Sequence, residues 1–470
     1  MALLFGLIAA TANPTFIGLA AGLVLGLFLL AAPKKTIGLV IALGLGTPAL
    51  LDMAEHGFSK ALWAISMMAL LLWIPGLLNL FDLNSSHKKH IPFFIWIAIL
   101  FTLYAVITTV FKMHSIGELF GGFKRYFQVF GLMLALATLA ITKKDFDQWL
   151  KLLLALALLQ LPFALFERVI LVPMRGGFAE LGGAATDVVA GTMGANLTTG
   201  SPNSIMVIFV LIAFGFIFSR WKAGVIRTSR MLLLSLILLL PLVLGETKVV
   251  VLMLPLMGLV LLRKYIIQNP VKNLPMFFGI MVLTAVFAYI YVYGILESTF
   301  AETFAGFLRY NLGSAGYGDL LLNRTTVMSF WWGLHGWHDP VSFLFGHGLG
   351  SSYDAGHIAQ RYPNYGINLT TVSTILWDLG LVGLVLYISI FITTWFQVSK
   401  VWQRTNNATV KADCLSIQVG IAFTLLFLLY SDSQVNLMVH EIIIAVLLGY
   451  AAFLYQQQRR ESDAVLSQGY

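Results

Sequence analysis

Long apolar segments recur from one end of the chain to the other. Each is about as long as a helix that crosses roughly 30 Å of hydrocarbon, and backbone in lipid must satisfy its hydrogen bonds internally. A β-barrel is excluded because runs such as 231–245 are apolar on every face and do not alternate. The pattern predicts an all-α, polytopic transmembrane helical bundle with about 13 spans (12–14). These are 3–32 (one helix, or two broken near Asn13-Pro14), 36–53, 62–81, 91–111, 126–142, 149–170, 204–219, 231–245, 249–262, 275–295, 371–396, 414–431 and 437–455.

The polar connections between these spans fall into two sets. Lysine and arginine pairs or runs lie at 34–35, 88–89, 143–144, 220–230, 263–264, 400–411 and 459–460. With the spans above they all fall on one side, which the positive-inside rule makes cytoplasmic. The tail at 456–470 is then cytoplasmic as well. The opposite, outer side holds 112–125, 171–203, 246–248, 296–370 and 431–436.

One outer connection is long enough to carry a function. The loop at 296–370 runs for about 75 residues, and connections of that length in a compact protein are usually functional. It contains helix-like stretches, such as 323–335, that could lie on the membrane surface. We expect no separate soluble domain, so residues 1–470 form a single integral membrane domain with this periplasmic loop and a shorter outer loop at 171–203.

Composition narrows the class of partner. The chain is 59% hydrophobic and 11% charged, against roughly 25% charged in soluble domains. Its net charge of +8 comes from short loops, so we expect membrane lipids and no nucleic acid as partners. The single cysteine, Cys414, excludes a disulfide framework or a thiolate metal site.

A charged pair interrupts two apolar runs at Glu246-Thr247-Lys248. Charges in such a position are expensive and face protein, water or a ligand. One interpretation is a tight hairpin with both charges solvated. The other is that Lys248 begins a helix and binds an anion, since a lysine and free amides at a helix N-terminus together favour phosphate.

Basic residues also occur on the outer side, where the positive-inside rule depletes them. Each could pair with an acid such as Asp187 or Asp354. As a set they are better explained by an anionic substrate, because guanidinium groups match phosphate oxygens. They are Lys124, Arg125, Arg175, Arg309, Arg324 and Arg361.

Four histidines accompany a glycine-rich loop at 345–350. His335, His338, His347 and His357 match no standard zinc spacing, and the loop does not join a strand to a helix as a dinucleotide loop does. One of these histidines could act as a base. Further on, Asp378 is an acid within an apolar run, followed by Gly380 and Gly383, and is either a structural acceptor or part of a site.

These pieces resemble the O-antigen ligase and Wzy-type polymerase superfamily, which has an Arg followed by an aromatic pair, a glycine loop and an acid-x-Gly-Leu-x-Gly helix after a long outer loop. The corresponding pieces are Arg324, Trp331 and Trp332, the loop 345–350, the helix start at 378–383, the Gly-Ser-Pro-Asn element at 200–203 and the turn at 246–248. The resemblance implies inverting, metal-independent glycosyl transfer from undecaprenyl-pyrophosphate-linked glycans, with no cofactor and no metal site.

One departure favours a polymerase over a ligase. Ligases of the family carry a His-Asn pair before the acid-x-Gly-Leu helix, whereas this chain has Asn368 and no histidine there. We therefore expect a polymerase of bacterial surface polysaccharide (exopolysaccharide or O-antigen) in the inner membrane, with its site facing the periplasm and a chain-length regulator as a possible partner. The alternatives are an O-antigen ligase acting on lipid A-core and an anion transporter. A flippase is disfavoured because basic residues do not line the depth of the bundle.

Roles can be assigned to the candidate residues on this basis. The candidates for the general base are His347, Glu246 and Asp378. The candidates for binding pyrophosphate or glycan are Lys248, Arg175, Arg324, Arg309, Arg361, Lys124 and Arg125.

Overall fold

The computed structural model describes residues 25–54, 61–82, 90–176, 185–197, 200–268 and 320–468, with isolated positions between 271 and 316. Every regular element among these residues is helical, which confirms the predicted all-α class. The helices are α1 (Leu25–Ala31), α2 (Pro33–Gly46), α3 (Pro48–Met53), α4 (Leu62–Leu71), α5 (Trp73–Phe81), α6 (Phe93–Lys112), α7 (Ile116–Phe127), α8 (Phe130–Thr138), α9 (Lys143–Phe166, continued by a π-helical turn at Glu167–Leu171 and by Val172–Gly176), α10 (Asn203–Lys222), α11 (Thr228–Leu244), α12 (Val250–Gln268), α13 (Thr326–Leu334), α14 (Pro340–Phe345), α15 (His357–Arg361), α16 (Thr371–Arg404), α17 (Ala408–Phe427) and α18 (Met438–Gln468).

Seven helical segments among the described residues are long and apolar enough to cross a membrane, and the bent pair α1 and α2 would make an eighth. They are Leu62–Phe81, Phe93–Lys112, Lys143–Arg175, Asn203–Lys222, Thr371–Arg404, Ala408–Phe427 and Met438–Asp463. Two further apolar helices, Thr228–Leu244 and Val250–Arg263, are shorter. The chain is therefore a helical multi-pass protein, but a count of about 13 spans is not confirmed. The expected spans at 3–32 and 275–295 lie largely outside the described residues.

The expected span at 126–142 is not one helix. The chain breaks between α7 and α8 at Gln128 and Val129, and α8 has nine residues, a length of about 13 Å. Eight of the nine, 131–138, are buried. Because an apolar run packed inside a protein has the same composition as one facing lipid, hydropathy alone could not distinguish the two.

The polar ends of the helices meet in two groups that agree with the predicted sides. At the end predicted to be cytoplasmic, Lys34 pairs with Asp145 at 2.8 Å and Arg220 with Asp413 at 2.7 Å. At the opposite end, predicted to be outer, Arg168 pairs with Glu246 at 2.7 Å. Each of these contacts joins segments that the basic-residue pattern places on one side.

The last helix, α18, is the centre of the bundle. Of its apolar window, 89% is buried, against 28% for the corresponding window of Lys143–Arg175. It continues to Gln468, so the polar tail after Tyr455 extends the helix. Within that extension the Gln456 side chain donates a 2.6 Å hydrogen bond to the Ala137 carbonyl of α8.

Helix α16 is broken at Gly380, and the glycine-rich loop lies in the break. Gly380 has φ 66° and ψ −168°, a backbone region open essentially to glycine alone. A Cβ there would lie 2.4 Å from the backbone of Leu344, and one on Gly346 would lie 2.5 Å from the backbone of Asp378. The two glycines let the end of α14 pack backbone to backbone against α16.

We predict that Gly380→Ala lowers the free energy of unfolding by about 2 kcal/mol or more. Alanine would be strained in this backbone conformation, and its Cβ would clash with the Leu344 backbone. The measurement is the thermal denaturation of the detergent-solubilised protein. Gly333→Ala is the matched control, since nothing lies within 4 Å of a Cβ at that position. Equal stability of the two variants would contradict the packing argument.

Candidate functional site

One face of α7 supports the loop that follows the glycine-rich run. Glu118, Gly122 and Arg125 lie on this face at helical spacing, and Ser115 caps the helix by accepting a 3.1 Å hydrogen bond from the Glu118 amide. A Cβ on Gly122 would come within 2.4 Å of the Leu349 backbone. Because Gly122 has no side chain, the loop contacts α7 directly, at a point between Glu118 and Arg125.

The acid, Glu118, holds His357 in a His–carboxylate pair. His357 Nδ1 lies 2.8 Å from Glu118 Oε1, with the carboxylate largely buried and the imidazole partly exposed. A neutral imidazole that donates from Nδ1 carries its lone pair on Nε2. The pair can therefore accept a proton at Nε2 while the carboxylate stabilises the charged ring.

The outer cations lie against aromatic rings. Arg125 lies 2.7 Å from the ring centroid of Tyr353, and Lys124 lies 3.4 Å from that of Trp63. Arg324 is above Tyr430 at 4.5 Å and Arg361 above Tyr362 at 5.7 Å. A ring attracts a cation through its quadrupole without cancelling its charge. A ring contact therefore fixes a cation in place without itself neutralising the charge.

Lys124 and Arg125 bring two positive charges to one point of the helix. Burial lowers the pKa of the Lys124 ammonium, and the neighbouring Arg125 lowers it further. Asp432, in the turn before α18, lies near Arg125, and burial raises the pKa of its carboxyl to about 6. An anion bound by the two cations would relieve their mutual repulsion.

Asp378 fixes the loop from inside the bundle. Its buried carboxylate accepts hydrogen bonds from the Gly350 amide (3.1 Å), the Ser352 amide (2.8 Å), the Ser351 hydroxyl (2.8 Å) and the Tyr126 hydroxyl (3.0 Å). These four donors occupy the lone pairs of the carboxylate, where a proton from a substrate would have to bind. The geometry therefore gives Asp378 a positioning role, and its assignment as a general base stays a prediction.

His347 belongs to a second histidine pair. Its Nε2 lies 2.8 Å from Nε2 of His335, whose Nδ1 lies 3.1 Å from the Trp331 carbonyl oxygen. Since a carbonyl only accepts, His335 donates from Nδ1, and His347 then donates from Nε2. Burial, together with the nearby His335 and His357, lowers the pKa of His347 to about 4. The His347 ring is therefore neutral near pH 7.

A separate group forms around the turn at 245–248. The Asn203 side chain donates a 2.7 Å hydrogen bond to the Gly245 carbonyl and also contacts the Thr247 hydroxyl, so the two predicted motifs at 200–203 and 246–248 meet. Glu246, with φ 49°, pairs with Arg168. Lys248 is exposed two residues before α12 and has no ion pair with any described residue.

Arg175 is buried and donates a 2.7 Å hydrogen bond to the Leu197 carbonyl, so it holds the outer loop at 185–197. Arg309 lies outside the described residues. Among the residues that the structure describes, no group of three or more His, Cys, Asp or Glu side chains could hold a metal ion.

The sequence pointed to some of this site and missed its centre. The sequence singled out His357 as a histidine near the glycine-rich loop but not as one of the three candidate general bases, and nothing in it pointed to Glu118. These two residues are 239 positions apart, and no local pattern connects them. Comparison of the chain with protein-family models and with curated proteins gives no match.

The lowered pKa of His347 predicts a pH-dependent stability. An unfolded histidine titrates near 6.5, so between about pH 6.5 and 4 the unfolded chain binds more protons and stability falls as the pH falls. We expect the melting temperature to drop less between about pH 7.5 and 5 in His347→Gln than in the wild type. His338→Gln, at an exposed histidine, should behave like the wild type. An unchanged drop in His347→Gln would contradict the assignment.

Proposed function

We propose that the protein is a glycosyltransferase of the polysaccharide-polymerase type, which joins undecaprenyl-pyrophosphate-linked repeat units at the outer face of the bacterial inner membrane. The observation that carries this proposal is the face of α7. On this face Glu118 pairs with His357, and Arg125 contacts the ring of Tyr353. Lys124 is adjacent to Arg125 and contacts the ring of Trp63. A proton acceptor and an anion-binding pair are the two groups that transfer from a pyrophosphate donor needs.

The proposed step is a single displacement. His357 Nε2 takes the proton of an acceptor sugar hydroxyl as its oxygen attacks the anomeric carbon of the donor. The bond from that carbon to the pyrophosphate oxygen breaks, the electron pair leaves with the pyrophosphate, and the configuration inverts. Lys124 and Arg125 stabilise the charge that develops on the leaving group without reorganisation, while Glu118 stabilises the imidazolium.

The other candidate residues act around this centre in the proposal. Asp378 positions the loop that carries Tyr353 and His357. Arg324, Arg361 and Lys248 extend the positive surface along the outer face, where they would contact glycan or lipid phosphate, and Arg309 keeps this assignment from the sequence alone. The alternative of an O-antigen ligase would use the same groups with lipid A-core as the acceptor.

A specific observation favours one other class. The break of α16 at Gly380, filled by a loop, is the kind of discontinuous helix that transporters use for ion and substrate sites. An anion transporter is therefore the second candidate. Proteoliposomes that elongate lipid-linked glycan without anion flux would favour the polymerase, and flux without elongation would favour the transporter.

We predict that His357→Gln and Glu118→Gln each lower glycan elongation, by about a hundredfold or more for His357, since a positioned general base contributes on the order of 10²–10⁴. The assay is elongation of lipid-linked repeat units by the purified protein, with His338→Gln as the matched control. Thermal denaturation of each variant separates loss of catalysis from loss of fold. A His357→Gln variant that folds and retains wild-type elongation contradicts the role of the base.

We also predict that elongation continues in excess EDTA. Fixed cations can neutralise a pyrophosphate without a metal ion, and the resemblance to the polymerase family implies the same independence. The comparison is the initial rate with EDTA against the rate with added magnesium or manganese. A loss of activity that either metal restores would overturn this part of the proposal.

A further inference from the structure

An apolar surface covers the outside of the segment 332–345, which is fully described. Apart from His338, the exposed large side chains of this segment are all hydrophobic. Trp337 is 86% exposed and Val341 52%. A contiguous patch of this kind on a protein marks a surface that contacts protein or membrane. The patch consists of Trp332, Leu334, Trp337, Val341, Leu344 and Phe345.

The patch reaches well below the outer end of the helices. The Tyr104 hydroxyl donates a 2.7 Å hydrogen bond to the Leu379 carbonyl and lies 3.4 Å from the Leu344 carbonyl. Tyr104 lies eight residues before Lys112, the end of α6, which corresponds to about 12 Å along the helix. The end of α14 therefore lies at the depth of the middle of a membrane-spanning helix.

The chain then returns toward the outer end. The Leu349 amide donates a 2.9 Å hydrogen bond to the Thr109 hydroxyl, nearer to Lys112, and Gly350 reaches Gly122 on α7. The segment thus descends through α14 and rises through the glycine-rich loop without crossing the bundle. This path is that of a re-entrant hairpin.

The backbone of this hairpin is satisfied within the protein. The amides of Gly346, His347 and Gly348 donate to the carbonyls of Ser342, Trp377 and Asp378, at 2.9, 3.0 and 2.8 Å. Irregular backbone at membrane depth is tolerated only under such conditions. Leu103, the residue next to Tyr104 on α6, is 55% exposed. The patch therefore continues the exposed apolar side of α6.

We propose that the segment 332–345 is a re-entrant element whose apolar patch contacts the acyl chains of the leaflet at this end of the bundle. The histidine pair His335–His347 then lies directly behind a lipid-facing wall. An amphipathic molecule with a hydrocarbon chain could approach the histidines from the side, through the leaflet. This proposal does not depend on the glycosyl transfer proposed above.

The test uses a fluorescent probe at one position of the patch. Val341→Cys, in a Cys414→Ser background, is labelled with an environment-sensitive dye and reconstituted into nanodiscs that contain lipids brominated in the acyl chain. Leu103→Cys on α6 is the control for lipid contact, and Gln360→Cys, exposed on α15, is the control for water contact. Trp337→Cys provides a second patch position whose side chain contributes little packing.

We expect bromolipid quenching at Val341 and Trp337 to match that at Leu103 and to exceed that at Gln360 several-fold. Quenching no stronger than at Gln360, at both positions, would overturn the proposal and place the patch in water. Protection from both bromolipid and an aqueous quencher would also overturn it, since protein would then cover the patch. Size-exclusion chromatography of each labelled variant shows that the fold is retained.

Discussion

Backbone that leaves a helix at membrane depth needs hydrogen-bond partners from the protein, because hydrocarbon offers none. In this chain those partners come from the break in α16. The carbonyls of Trp377 and Asp378 receive two amides of the glycine-rich loop, and the Asp378 carboxylate receives two more. A buried carboxylate costs several kcal/mol unless it is fully hydrogen-bonded. Asp378 meets that condition through the same loop that it holds, so the loop and the acid stabilise each other.

The geometry of the candidate site follows from that anchor. Once Gly350 and Ser352 are fixed on Asp378, the next residues of the loop pass along α7, and Tyr353 and His357 meet Arg125 and Glu118 there. The same loop carries His347 to His335 on its other side. A change at Asp378 would therefore move three functional contacts at once, although its side chain touches none of the groups proposed to meet substrate.

The sequence predicted what depends on composition and spacing, and it failed where the fold brings distant residues together. Hydropathy identified α6, α10 and α17 because each is long and continuously apolar. It could not show that α8 is an internal helix, since burial in protein and burial in lipid require the same residues. Asp378 and Gly380 were recognised as unusual within an apolar run, but only the structure shows that they receive a loop. Glu118 gave no local signal.

Ring contacts hold cations at both ends of the bundle, so it is the position of these cations that bears on function. At the end predicted to be cytoplasmic, Arg263 and Lys411 lie on aromatic rings, and Lys34 and Arg220 are paired with carboxylates. At the opposite end Lys124 and Arg125 lie on aromatic rings. A ring fixes a cation in place at little cost to its charge. Positive-inside bias explains cations at the first end and would deplete them at the second. Cations held in place at the second end therefore need another explanation, and a site for an anionic substrate provides one.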